Sequence, residues 1–331
     1  MISFIYLLNR LEEKGKFSLN LETVVRDGKV ILVDKAPYYI KGNMRVILLL
    51  LAFVFGQLHA ATMSTDPKKY QVCATAIFKN EAPYLKEWIE YNRLIGVEHF
   101  YLYNNESDDH YLTVLAPYIK SGIVTLTDWV NGPEYNVTYA WVLATQMPAY
   151  EHAIKTFGHE TKWLAVIDVD EFILPITSYK INDLLDKYEA YPGLLIYWQL
   201  YGTSNLPMLP QDKLMIESLT KTTHHEYRSD HYKSIIKPDL FEAFYWYVHS
   251  FRFKSGQYGI VIDLSEARIN HYINRAEDYL FNNKIKNKER MDNRKLNEDD
   301  IAKQRALGND VEDNEKLIFR YVPALRDIFG I

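Results

Sequence analysis

The sequence predicts an α/β protein with a mostly parallel sheet and helices on both of its faces. Two observations predict it. From residue 71 to residue 167, short apolar runs of β-preferring residues alternate with stretches at helical spacing. Polar clusters then recur where those runs end: Lys79-Asn80-Glu81, Asn104-Asn105-Glu106-Ser107-Asp108 and Asp168-Val169-Asp170-Glu171. Parallel sheets bind ligands at the carboxyl ends of their strands, so the clusters mark one candidate site.

The first strand is read over 71–78. A helix follows over 81–95, with Leu85, Trp88 and Ile89 on its apolar face, Asn92-Arg93 on its polar face and Gly96 as its C-terminal cap. The second strand spans 97–103 and the polar loop 104–109 ends it. A helix over 112–120 is closed by Ser121-Gly122, and the third strand covers 123–127. Residues 135–156 carry a long helical pattern that Pro148 kinks or breaks in two. The fourth strand, 163–167, runs straight into Asp168. Beyond Pro175 the rhythm weakens to a helix over 178–190, a strand over 194–201, a loop rich in Gly, Pro and Asn, and a helix over 275–288.

A length of 331 residues allows one large core or two modest ones. The 26 tyrosines offer flat apolar faces with polar edges, suited to sugar rings and bases or to a mixed core. A net charge of −5 without a long basic tract predicts no nucleic-acid footprint. Cys73 is alone, which excludes an intramolecular disulfide and a zinc site built on several thiolates. The stretch 284–303 mixes both charge signs and reads as a solvated helix face.

Residues 46–55 form an apolar run behind Lys41 and Arg45, too short to span a bilayer and suited to the core of an export signal, with Leu58-His59-Ala60-Ala61 as a cleavage region. Met44 stands where such a signal would begin, so 1–43 reads as an over-extended translation. The competing reading is an N-terminal extension before a short membrane anchor or a buried helix. Within it, 17–25 and 29–33 flank Arg26-Asp27-Gly28 as a hairpin. The chain thus divides into 1–43, a signal-like or anchor segment 44–62, a main domain 71–290 whose halves meet at 176/177, and a helical tail 291–331. Membrane association or export is expected, and a cytoplasmic face stays open.

Two aspartates across a tight turn at a strand end supply hard oxygen ligands for Mg²⁺ or Mn²⁺ and leave positions open for phosphate oxygens. The competing reading is a surface turn or helix cap. The setting favours the cation, because Asp168, Asp170 and Glu171 interrupt the apolar run LAVIDVDEFILP, where unpaired charge is costly.

Ala76-Ile77-Phe78-Lys79-Asn80-Glu81, Tyr84 to Tyr91 and Gly96-Val97-Glu98-His99-Phe100 resemble the opening of the family-92 glycosyltransferases and their bacterial family-2-like relatives. The resemblance continues through Tyr103 to Asp109, Gly122-Ile123-Val124 before Trp129, and Trp163 with Asp168 to Phe172. It ends with Lys233 to Pro238 and Asn270-His271-Tyr272 followed by Phe281 and Lys284, covering roughly 71–290. It implies a GT-A (Rossmann-like) fold with a mixed C-terminal acceptor region. It also implies a nucleotide-sugar donor, taken as UDP-linked, a glycan acceptor and usually Mn²⁺; some such relatives are inverting galactosyltransferases.

Carried over by resemblance, Asp168 touches the ribose or the metal, Asp170 is a metal ligand, and His271 completes the metal or diphosphate site or is an ordinary half-buried histidine. Lys79, Asn80 and Glu81 fall where the fold places the base, Asn80 serving equally as a helix cap. Asn104, Asn105 and Asp108 line the base and ribose pocket or form simple Asx turns. Lys233 steadies phosphate or belongs to a salt bridge. An inverting transfer requires a carboxylate base, with Glu217, Glu226, Asp230 and Glu242 as candidates. Glu217 is the first choice for its apolar setting, against a structural ion pair; a retaining transfer needs no such base. Trp198, Tyr201, Tyr245 and Trp246 offer an acceptor platform or fill the core, while His224, His225 and His231 read as loop histidines. Two other classes compete: a metal-dependent phosphotransferase or hydrolase, and an exported carbohydrate-binding protein without catalysis.

Overall fold

The computed structural model describes residues 21–26, 29–34, 67–133, 140–224, 231–245, 247–291 and 294–331. The export-like run 46–55, Met44, the 58–61 cleavage region, His225, Glu226, Asp230 and Trp246 lie outside them. The described chain falls into two units, Met1–Pro67 and Lys68–Ile331. In the first, β1 (Leu21–Arg26) and β2 (Lys29–Asp34) pair antiparallel, from Leu21 opposite Asp34 to Arg26 opposite Lys29, at the predicted hairpin.

The second unit holds β3 (Tyr70–Phe78), β4 (His99–Asn104), β5 (Val124–Asp128), β6 (Thr161–Val166), β7 (Glu171–Pro175), β8 (Gly193–Leu200) and β9 (Lys221–Thr222). Then come β10 (Tyr232–Ile236), β11 (Phe241–Tyr245), β12 (Tyr247–Phe253), β13 (Ile260–Val261), β14 (Ala267–His271) and β15 (Val311–Glu312). The main sheet runs β5-β4-β3-β6-β10-β8-β14-β7, with β13 also on β8. The first four strands are parallel, as the strand–helix rhythm requires. The second half is mixed: β10 lies antiparallel between β6 and β8, and β7 pairs antiparallel with β14. β8 is shared along its length, with β10 on residues 193–197 and β14 on 198–200. The outcome is the α/β class expected, with a mostly parallel sheet.

Every residue of β4, and of β3 from Val72 onward, is buried, which a strand covered on both faces demands. Helix α1 (Ala82–Ile95) buries Leu85, Trp88, Ile89 and Ile95 against this sheet and stops at Gly96, whose φ of +115° is left-handed. Asn92, read as part of the polar face, is buried and donates to the Trp88 carbonyl at 2.8 Å. Asp109 caps α1 from outside the helix, accepting from the Ala82 N–H at 2.8 Å. Helix α2 (Tyr111–Lys120) follows β4.

The helical pattern is not broken in two at Pro148. Val142–Gln146 is a π-helical turn that runs directly into α3 (Met147–Phe157), with helical backbone kept at Gln146 and Met147, so the irregularity falls just before the proline. Helix α4 (Ile181–Lys187) precedes β8, and the four-residue α5 (Met215–Ser218) precedes β9.

Residues 291–331 are more than a helical tail. β15 pairs with β9, Arg268 and Asp313 form a buried ion pair at 3.2 Å, and Tyr321 meets Tyr91 edge-on at 5.1 Å. Ile318 and Leu325 are fully enclosed, so this segment closes the core. Among the described residues no helix is long and apolar enough to cross a membrane.

Candidate active site

The site begins where β6 runs out. The Glu171 N–H donates to the Asp168 carbonyl at 3.1 Å, while the Asp168 N–H donates to Glu171 Oε2 at 2.9 Å. These two bonds close a tight turn with the Glu171 side chain folded beneath it. β14 is brought alongside by its register with β7, His271 opposite Glu171, and by the Tyr272 N–H donating to the Asp170 carbonyl at 2.9 Å.

The buried Asp170 carboxylate is shared: Oδ1 lies 3.5 Å from His271 Nε2 and Oδ2 lies 3.2 Å from Lys284 Nζ. Glu171 Oε1, fully enclosed, lies 3.1 Å from Lys233 Nζ and 3.9 Å from His271 Nδ1. One ligand-capable atom each from Asp170, Glu171 and His271 fall within 4.8 Å of one another. Asp168 stands beside this trio. Its Oδ1 accepts from the Tyr150 hydroxyl at 2.8 Å and from Gln146 Nε2 at 3.0 Å, and its Oδ2 pairs with Lys233.

Burial pushes the Asp170 carboxyl up, but Lys284 and His271 outweigh it and hold the group well below the usual carboxylate range. Burial drives Glu171 well above that range, Lys233 offsetting only part while Asp168 and Asp170 add to the rise. Burial alone would lower Lys233, yet its two carboxylates leave it raised. His271 is lowered by burial despite Asp170, so its imidazole stays neutral, the form that ligates metals. His271 Nδ1 is buried without a hydrogen-bond partner. Carboxylate oxygens joined by one neutral imidazole with a spare nitrogen fit Mn²⁺ or Mg²⁺.

Asp168, Asp170, Lys233 and His271, singled out in the sequence, are therefore brought together. Glu171, rather than Asp168, joins Asp170 and His271 in the group whose atoms could hold a cation; Asp168 is bonded to Tyr150, Gln146 and Lys233. Lys233 takes the salt-bridge alternative. Lys284 corrects a reading, since it pairs with Asp170 and does not belong to a solvated face. Trp198 adjoins the site, its ring edge-on to His271 at 4.3 Å, stacked on His231 at 5.1 Å and 5.4 Å from Lys233 Nζ.

Glu81 pairs with Arg275, whose guanidinium is clamped between the Tyr84 and Tyr279 rings at 3.7 and 4.3 Å. Asn80 does not cap α1. In left-handed backbone at φ +56°, it donates its N–H to Ser107 Oγ and accepts from the Asp108 N–H, both at 2.9 Å. Asn104 binds Tyr111, Asp128 and the Ser107 N–H, and Asn105 binds the Trp129 carbonyl and Trp141 Nε1, so both brace the loop after β4. Lys79 and Asp108 are solvent-facing or nearly so at the ends of β3 and that loop.

Glu217 takes its structural alternative. Arg326 grips it with two bonds, at 2.7 and 3.1 Å, from the C-terminal helix Val322–Phe329. Glu242 is exposed and lies 3.8 Å from Arg252. Tyr201 is buried and bonded to Asp313, hence core, whereas Tyr245 is half exposed. Sequence reasoning missed Gln146 and Tyr150. Their spacing of one helical turn, polar within an apolar pattern just before β6, was the available signal.

Residues 68–306 match the model of the family described as Glycosyltransferase family 92. A glycosyltransferase family 92 protein of Ricinus communis is 29% identical over 219 residues, covering 62% of this chain and 35% of that protein. A counterpart in Oryza sativa subsp. japonica is 28% identical over 211 residues, 62% of this chain and 33% of the relative. A galactan beta-1,4-galactosyltransferase of Arabidopsis thaliana is 26% identical over 143 residues, 42% of this chain and 28% of that protein. The chain thus spans about a third of the length of these curated relatives. The solved S. aureus TarS shares 14% identity across 78% of this chain and 73% of its own, with a TM-score of 0.36. That likeness is too distant to bear on function.

Proposed function

The chain belongs to glycosyltransferase family 92, and from that membership we propose that it moves a hexose from a UDP-linked sugar to a hydroxyl of a glycan acceptor, with a divalent cation at Asp170, Glu171 and His271. The observation that carries the reading is this carboxylate–imidazole trio within 4.8 Å at the end of β6. When bound, the cation would neutralise charge gathering on the departing diphosphate. Asp168, fixed by Tyr150, Gln146 and Lys233, is preorganised to accept a hydroxyl of the donor's ribose or sugar. Lys233 fixes Asp168 and Glu171 relative to each other. Trp198, edge-on to His271, offers the acceptor sugar a flat face.

For an inverting transfer the acceptor proton goes to a carboxylate. Glu217 is held by Arg326, which leaves Glu226, Asp230 and Glu242 as the positions to test; a retaining transfer would need none of them. The segment 44–62 is read as an export signal or short anchor, and N-terminal sequencing of membrane and soluble fractions tests it: an intact Met1 in a soluble protein would remove that reading.

The decisive measurement is thermal unfolding with UDP, with and without Mn²⁺, alongside a donor screen followed by UDP release. Stabilisation by UDP that requires Mn²⁺, and that is lost in Asp170→Ala, is the expected result. Equal stabilisation by UDP in a chelator would sink the metal assignment. Stabilisation by free glycans alone, with no nucleotide effect, would favour a carbohydrate-binding module.

A further inference from the structure

Two lysines face the acidic turn, and they are held very differently. Lys233 is locked between Asp168 and Glu171 with 1% of its side chain exposed. Lys284 approaches Asp170 Oδ2 at 3.2 Å with 32% of its side chain exposed, from the π-helical stretch Leu280–Ile285. Such π turns in helices are frequent at functional sites. The Tyr279 ring lies 5.8 Å from Lys284 Nζ, and Tyr279 also clamps Arg275. A third of the Lys284 side chain is thus open to solvent, where the Lys233 side chain has almost none.

Asp170 is also one of the three residues able to ligate a cation. An ammonium on Oδ2 and a divalent ion held through the same carboxylate compete for one negative charge. Each raises the free energy of the other, because like charges at this separation repel strongly where solvent is sparse. The oxygens of a nucleoside diphosphate would supply the negative charge that the displaced ammonium loses.

Resting on the metal site proposed above, we propose that Lys284 is a diphosphate-binding residue that exchanges Asp170 for the nucleotide when the cation enters. The exchange couples two binding events. Without nucleotide, Lys284 opposes the cation; with nucleotide present, it leaves Asp170 and the cation binds more tightly. Linkage requires that the cation strengthen nucleotide binding by the same factor. Lys284 thus acts as a placeholder cation that balances Asp170 until the donor arrives.

The test is isothermal titration of the full chain with Mn²⁺ alone, with Mn²⁺ in saturating UDP, and with UDP in saturating Mn²⁺, for the wild type and Lys284→Met. Methionine keeps most of the stem and removes the charge. The variant is expected to bind Mn²⁺ alone about tenfold more tightly, to bind UDP in Mn²⁺ about tenfold more weakly, and to lose most of the coupling. Mn²⁺ binding no tighter in the variant overturns the exchange while leaving the metal site standing. Absence of Mn²⁺ binding in both proteins, even with UDP, overturns the exchange and the metal site together. Should the variant fail to fold, the wild type still decides: a Mn²⁺ affinity indifferent to UDP overturns the exchange, and a UDP-dependent one supports it.

Discussion

Lys233 pairs with Asp168 and reaches Glu171 at 3.1 Å from inside the protein, and that location sets what its loss would do. Removing one partner of a buried ion pair leaves charge uncompensated, typically at a cost of about 3–5 kcal/mol. Lys233→Met is therefore expected to lower the stability measured by urea unfolding by about that amount, with Mn²⁺ restoring part of it. An undiminished midpoint would show that Asp168 and Glu171 need no counter-ion. Glu87 gives a pH-dependent case. It is buried on α1 and accepts from the N–H groups of Met215 and Ile216 at 2.8 and 3.0 Å, the start of α5. Burial raises its pKa to about 7 from 4.5, those two N–H bonds pulling the other way. A carboxyl raised in the folded state holds its proton more tightly there than when unfolded. Its contribution is intact below pH 4.5 and lost as pH climbs toward 7, by roughly 3 kcal/mol in all. Glu87→Gln should flatten the fall in Tm between pH 5 and 8, and an unchanged slope would clear Glu87 of that role. At this scale the sequence revealed residues that share a motif and hid those that pair at a distance. Asp168, Asp170 and His271 stood out by their neighbours. The tie of Glu217 to Arg326 spans 109 residues and leaves no local mark.

Helix α1 was legible because its apolar spacing, its glycine stop and the strands on either side all agree. Its cap was not, since Asp109 reaches the Ala82 N–H from 27 residues away. Losing a cap costs about 1 kcal/mol, so Asp109→Ala should lower Tm by a few degrees with the fold retained by circular dichroism. No change would mean that solvent replaces the carboxylate at no cost. The parallel half of the sheet was readable for the same reason as α1. The mixed half was not: β10 and β14 find their partners through contacts over a long span of chain, and periodicity reports which face of a strand is buried but not its neighbour. The π turn before Pro148 illustrates the same limit. The proline announced an irregularity, while the form it takes, a π turn over Val142–Gln146 inside a continuing helix, leaves no mark in the periodicity.

Across the whole molecule, the family match ends at residue 306 but the core does not. Ile318, Tyr321 and Leu325 are buried, and Asp313 answers Arg268. Deleting 307–331 is expected to abolish cooperative unfolding, or at least to remove many degrees of Tm, by uncovering apolar surface and taking the Asp313 and Glu315 carboxylates from buried Arg268. Deleting 1–67 should leave the Tm of the remaining compact unit and its affinity for UDP with Mn²⁺ unchanged, as differential scanning calorimetry and titration would show. The opposite pattern would place an essential part of the fold before residue 68. The closing role of the C-terminal segment escaped sequence reading because its apolar residues sit in two short helices, Leu317–Tyr321 and Val322–Phe329, whose partners such as Tyr91 lie far off in the chain.

The acidic turn has a consequence for the chain as it is being made. The strands on either side of it are almost wholly apolar, β6 and β7 together being the kind of segment that aggregates when exposed. Lys233 and Lys284 lie 65 and 114 residues further on, so on the ribosome Asp168, Asp170 and Glu171 emerge long before their counter-charges. Through that interval their like charge would oppose association of the two strands with other chains, as gatekeeper residues do. The carboxylates that later gather at the site first protect the nascent protein from its neighbours.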